Sequence, residues 1–226
     1  MAEVPTIWRR LADWLPLLLV VLLASPFITH AIGFGFRGLT SDLTGSTYLF
    51  ASDGLVSNPA MFAHMISGAI ITFLAPFQLL VPLRRRYPAI HRWSGRVLCV
   101  LAVFTALAGL IYMALRPTIG GPLMSIAFSG YGLCVLVAAF QTMRFARARD
   151  FERHRRWALR MFFLAIGSWL YRVQYQIWYL LTGGLWMEPN FSGAFDLFQL
   201  FAFYVPYLIG LEIYFRSRSL KPVTSS

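Results

Sequence analysis

The sequence predicts an all-α fold, a polytopic membrane helical bundle of about six transmembrane helices. Three observations predict it. Six apolar runs each approach or exceed the roughly 20 residues that a helix needs to cross a hydrocarbon core. None of them alternates with the period of a strand, and helices alone satisfy their own backbone in lipid without closing a barrel. The cations fall in short patches between the runs, where membrane proteins place them. Hydrophobic residues make up 58% of the 226 and charged ones only 13%, too apolar for a surface wholly in water. The formal net charge of +11 therefore reads as topology, with no nucleic acid partner.

The runs follow one another in order. Trp14 to Phe36, Pro59 to Leu83, Val97 to Leu115 and Pro117 to Met143 are read as spans, Arg116 lying between the last two. Met161 to Met187 contains one charge, Arg172, and the last run, Phe195 to Phe215, is bounded by Asp196 and Glu212. Arg9 and Arg10 before the first run resemble the start of a signal peptide. The uncharged run is too long for one, and the expectation is a retained helix. The whole chain, 1–226, is expected to form one integral membrane domain, with 217–226 as a disordered tail. Cys99 and Cys134 have no partner at disulfide or metal spacing and are expected to be core- or lipid-facing thiols.

Orientation follows from the cations. With an even number of spans, 17 of the 20 Lys and Arg residues, Lys221 included, share the side of the termini. Arg37 and Arg116 lie opposite and Arg172 within a span. Positive residues mark the cytoplasmic side. The expectation is a bacterial inner (plasma) membrane protein with both termini cytoplasmic. The polar loop from Arg37 to Asn58 then lies outside, long enough to fold over the outer mouth.

Chemistry concentrates in two basic stretches, RRRYPAIHRWSGR from Arg84 to Arg96 and RFARARDFERHRRWALR from Arg144 to Arg160. His91 opens the third helix three residues after Pro88. His154 opens the fifth, four after Asp150, which suits an N-cap. His64 and His91 are each followed four residues later by glycine, Gly68 and Gly95, and His154 by Ala158. Positions i and i+4 share a helix face, so a small residue there admits a flat macrocycle or another backbone beside the ring. Gln78, fourteen residues after His64, lies about 21 Å further along its helix, towards His91. Arg172 lies about 22 Å from the inner end of its helix, at a cost of about 2.5–3.5 kcal/mol on insertion scales. Asp196 is its nearest counter-ion on this reading.

Two clusters are expected. The outer one holds His30, His64, Arg172 and Asp196. The inner one holds Gln78, His91 and His154 ringed by arginines, Arg92 and Arg96 among them, with His91 and His154 facing a shared pocket. Histidine pairs across a bundle ligate haem iron and arginines suit its propionates. The candidate ligand-binding residues are thus Gln78, His91, Arg92, Gly95, His154, His64 and Arg172, with His91 and His154 as metal ligands if haem b is bound. A quinone or a membrane redox partner suits the same set. The alternatives are non-redox binding or transport of an anionic lipid or small anion, and assembly with another membrane complex. No HExxH, CxxC, Walker or GxGxxG pattern supports a hydrolase or nucleotide enzyme.

The motifs H-x-x-x-G at His64 with Gln78 after it, H-R-x-x-G-R at His91 and H-R-R-W at His154 resemble those of DUF2306, a family of predicted bacterial multi-pass membrane proteins. The resemblance covers roughly Phe62 to Arg172. It implies an integral membrane protein with His64, Gln78, His91, Gly95 and His154 at motif positions, and it supplies no activity. A looser similarity is to transmembrane b-type cytochromes, from which the depth of His91 and His154, near the interface, departs.

Overall fold

The computed structural model describes residues 6–219. Of the expected tail, residues 220–226, Lys221 included, lie outside this range, and Ser217 to Ser219 are helical. The helices are α1 (Thr6–Thr40), α2 (Ser57–Leu74), α3 (Val81–Arg86), α4 (Pro88–Leu115), α5 (Gly121–Arg147), α6 (Phe151–Ala165), α7 (Gly167–Thr182), α8 (Ala194–Ala202) and α9 (Val205–Ser219). A 3-10 turn, Pro76–Leu79, follows α2. Among the described residues there is no strand. Five helical stretches are long and apolar enough to cross a membrane: Leu17–Thr40, Ser57–Leu79, Pro88–Leu115, Gly121–Arg147 and Ala194–Arg218. The chain divides into two units after Ala108.

In the first unit, α1 packs on α2 through a narrow seam. Leu17, Ala24, Ala31, Gly35 and Gly38 are buried, while Leu18, Leu22, Ile32 and Phe36 on other faces are exposed and suited to lipid. Lipid offers leucine as good a home as a neighbouring helix does, so close van der Waals fit holds such helices together and small residues permit it. A Cβ built on Gly38 would lie 2.3 Å from the ring of Phe62, and one on Gly35 2.7 Å from Ile66. Phe62 is fully buried by this approach. After α1 the chain turns through 41–56, where the Asn58 amide clamps Ala51, accepting from its N–H at 3.0 Å and donating to its carbonyl at 2.7 Å.

The second unit is built on α5. Met124, Ala127 and Leu200 form its buried apolar centre, with Phe128 and Phe191 against them. Asp150 caps α6, its Oδ1 accepting the Arg153 N–H at 3.0 Å, as the sequence suggested. The expected single span from Met161 is not continuous. The helix turns at Ile166 between α6 and α7. There the Tyr131 hydroxyl of α5 donates to the Leu164 carbonyl and lies 2.6 Å from where a Gly167 Cβ would stand. A side chain inserted into the ladder is a recognised cause of a helix break. The last run also breaks, at Phe203 and Tyr204, where Pro206 opens α9 without a backbone donor. Tyr131 packs against both, its ring 4.9 Å from Phe203 and 5.2 Å from Tyr204.

Candidate functional site

His64 lies on α2 beside α4. Its Nδ1 is 2.8 Å from the Thr105 carbonyl, and a carbonyl only accepts, so Nδ1 carries the proton and, in the neutral ring, Nε2 the lone pair. Thr105 also donates to Ser67 at 2.7 Å, so one residue of α4 serves two of α2. Gly68 makes room for this, its Cβ position lying 3.7 Å from the Thr105 methyl. The clearing beside His64 is thus taken by another helix. His30 is exposed on α1 and stacks on Phe34 at 5.7 Å.

At the start of α4, Gln78 and Gly95 meet. Gln78 Nε2 donates to the Ser94 hydroxyl at 2.7 Å, and Oε1 lies 3.2 Å from the Gly95 Cβ position. Ser94 in turn donates to the Ile90 carbonyl at 2.6 Å. Gln78, Gly95 and the turn that begins at His91 therefore come together, and the glycine clearing is filled by the glutamine. His91 is half-buried, and Arg92 is exposed.

In the second unit His154 repeats the arrangement of His64. Its Nδ1 is 3.0 Å from the Thr142 carbonyl of α5, which again places the lone pair on Nε2. The arginines around it are mostly engaged. Arg153 pairs with Asp150 at 3.4 Å and Arg156 with Glu152 at 2.7 Å. Arg160 reaches across to Glu212 of α9, its Nε 2.7 Å from Oε1, and lies over the rings of Trp157 and Phe215. The exposure of these two side chains, 18% and 45%, marks a partly buried pair.

Arg172 is exposed on α7 and donates through one NH1 to the Ser168 carbonyl at 2.9 Å and hydroxyl at 2.8 Å. The structure gives Asp196 other partners than the expected arginine. Its carboxylate, 1% exposed, accepts from the Tyr175 hydroxyl at 2.7 Å, the Glu188 N–H at 2.9 Å and the Gly193 N–H at 3.0 Å. It thereby ties α7, the 183–193 loop and α8 into one piece. Nearby, Gln199 donates to Gln174 at 2.6 Å, and Gln174 to Tyr207 at 3.1 Å.

Sequence reasoning missed the Thr105 and Thr142 carbonyls, because main-chain acceptors leave no mark on residue type. It also missed the Arg160–Glu212 pair, for which a signal existed: an acid near the end of an apolar run needs a partner. Among the described residues no group of three or more His, Cys, Asp or Glu gathers to hold a metal ion. Asp42 lies in the loop after α1, where Thr44 sits two residues on and donates its N–H to Oδ1 at 2.8 Å. Thr44's hydroxyl and N–H hold the Asp42 carboxyl below the usual range.

Long apolar helices, lipid-suited surfaces and polar groups turned to one another define a multi-pass integral membrane protein of the all-α class. Within that class, the chain belongs to the family described as predicted membrane protein, DUF2306, which it matches over residues 61–213. The match includes His64, Gln78, His91, Gly95, His154 and Arg172, and extends past the motifs to α9. No curated protein and no solved structure matches the chain.

Proposed function

We propose that this is a bacterial inner-membrane protein, with both termini cytoplasmic, that serves quinone-linked electron transfer through its histidines. One observation carries the reading. His64 and His154 each give Nδ1–H to a main-chain carbonyl of a neighbouring helix, which fixes the tautomer and aims the lone pair of Nε2. Such an imidazole accepts the hydroxyl proton of a quinol or ligates haem iron. The glycine clearings favour the smaller group, since Thr105 and the Gln78 amide occupy the space at Gly68 and Gly95. His154 is followed by half-buried Ala158 and is the residue to which the quinol head is assigned, with the electrons leaving to a membrane redox partner. His91, with Gln78 and Arg92 near the start of α4, forms a second polar group.

The test uses the purified full chain. A short-tailed benzoquinol is expected to quench tryptophan fluorescence saturably, with at least tenfold weaker binding in His154→Ala and little change in His30→Ala. A Soret band lost in His91→Ala or His154→Ala replaces the quinol with haem. Neither a Soret band nor saturable quinol binding ends the redox reading. Reporter fusions at Ser46 and after Ser226 check the orientation: cytoplasmic activity at Ser46 contradicts it.

A further inference from the structure

Helices α6 and α9 pack together and form an open pocket of about 200 Å³ lined by Glu152, Arg155, Arg156, Tyr214, Phe215 and Arg218. Its charge is lopsided. Three guanidiniums face one carboxylate, and that carboxylate is already bonded to Arg156 at 2.7 Å. Arg155 and Arg218 have no carboxylate partner among the described residues; the described ion pairs engage Arg153, Arg156 and Arg160. They converge instead on one tyrosine. Arg155 lines the pocket together with Tyr214, and the Arg218 guanidinium lies over the Tyr214 ring, 4.9 Å from its centre. The pocket thus gathers cations around one tyrosine, at the cost of bringing like charges together. That arrangement is stabilised by an anion, and planar guanidinium forks match the oxygens of a phosphate.

We propose that this pocket binds the phosphate group of an anionic ester. Its place favours a lipid headgroup over a free phosphate. It lies at the end of α9, whose Ile209 and Ile213 are exposed apolar residues, and basic pockets between membrane helices are suited to anionic headgroups. The site is independent of the reading of His154: Arg155 and Arg218 take no part in it.

The full chain in neutral detergent is titrated with dioctanoyl phosphatidic acid, dioctanoyl phosphatidylcholine and inorganic phosphate, with bound ligand read by native mass spectrometry. Phosphatidic acid is expected to bind more tightly than phosphatidylcholine and to lose affinity as salt rises. Each cation beside an anionic headgroup is worth roughly fivefold, so R155A/R218A should weaken phosphatidic acid about 25-fold. The milder R155Q/R218Q should weaken it similarly, with unchanged circular dichroism. R84A/R85A, on α3, should leave it unchanged. Inorganic phosphate binding as tightly as the lipid, and displacing it, makes the ligand a soluble phosphate and overturns the headgroup assignment. Equal binding of the two lipids, or an equal loss in R84A/R85A, overturns the site itself.

Discussion

The break between α6 and α7 makes a sharp prediction, because one hydroxyl both supports it and crowds it. The Tyr131 Oη–H donates to the Leu164 carbonyl, and the same oxygen stands 2.6 Å from the Cβ that Gly167 lacks. Tyr131→Phe removes the bond. Hydrogen bonds between membrane helices average about 0.6 kcal/mol and reach about 1.7, while a buried carbonyl left unserved costs about 1–3. A loss of about 1–2 kcal/mol is expected. Gly167→Ala gains up to about 1 kcal/mol of helix propensity but drives a methyl group into Oη, and overpacking costs about 1–3 kcal/mol. Alone it should be neutral to destabilising by about 2 kcal/mol. In the Tyr131→Phe background the nearest ring carbons stand at 3.2 Å, and the same alanine should be neutral or stabilising. The double-mutant cycle should show a coupling of at least about 1 kcal/mol, measured by reversible unfolding in mixed micelles. If Gly167→Ala costs the same in both backgrounds, Tyr131 does not wedge the helix.

Three other outcomes are expected. Gly38→Ala meets the Phe62 ring at 2.3 Å, and a destabilisation of about 1–3 kcal/mol in unfolding titrations should accompany loss of α1–α2 cross-linking between engineered cysteines. Asp196→Ala leaves the Glu188 and Gly193 N–H groups and the Tyr175 hydroxyl without their acceptor. It should cost at least about 3 kcal/mol and expose the 183–193 loop to protease, whereas an uncut loop argues against the tie. Glu212→Gln should cost about 1.5–3 kcal/mol at most, since the pair is partly wet, and salt should shrink the difference.

Much of the fold was legible because membrane insertion writes itself into composition. The apolar runs foretold the long helices, Pro88 and Asp150 marked the starts of α4 and α6, and the family motifs lay where the match falls. The breaks were less legible, though not unmarked. Pro76 and Pro206 stand where the 3-10 turn and α9 begin, but hydropathy reads straight across them because both flanks are apolar. The break at Ile166 depends on Tyr131, 35 residues earlier, and no local signal reports so distant a wedge. The candidate site divided in the same way. The spacing of the histidines from glycine and alanine singled them out in the sequence. What fills those clearings was not legible, because Thr105 and Gln78 act through one carbonyl and one amide whose positions only packing decides. Arg172 advertised its depth and suggested Asp196, yet its guanidinium donates to Ser168, one turn back on its own helix.

The α6–α7 pair has a consequence for how the protein is made. Phe151–Thr182 is interrupted at Ile166 and carries Arg172, and it is not among the helical stretches both long and apolar enough to cross a membrane. A translocon that sorts segments one at a time would hesitate over it, since an arginine within a span sets insertion back by up to about 2.5–3.5 kcal/mol. The partners that make it acceptable arrive on both sides of it in time. Tyr131 of α5 is already synthesised, whereas Asp196 of α8 and Glu212 of α9 are not. The segment should therefore linger at the exit site until the last helices emerge, and a nascent chain stopped soon after Thr182 should remain extractable from the membrane while the full chain does not.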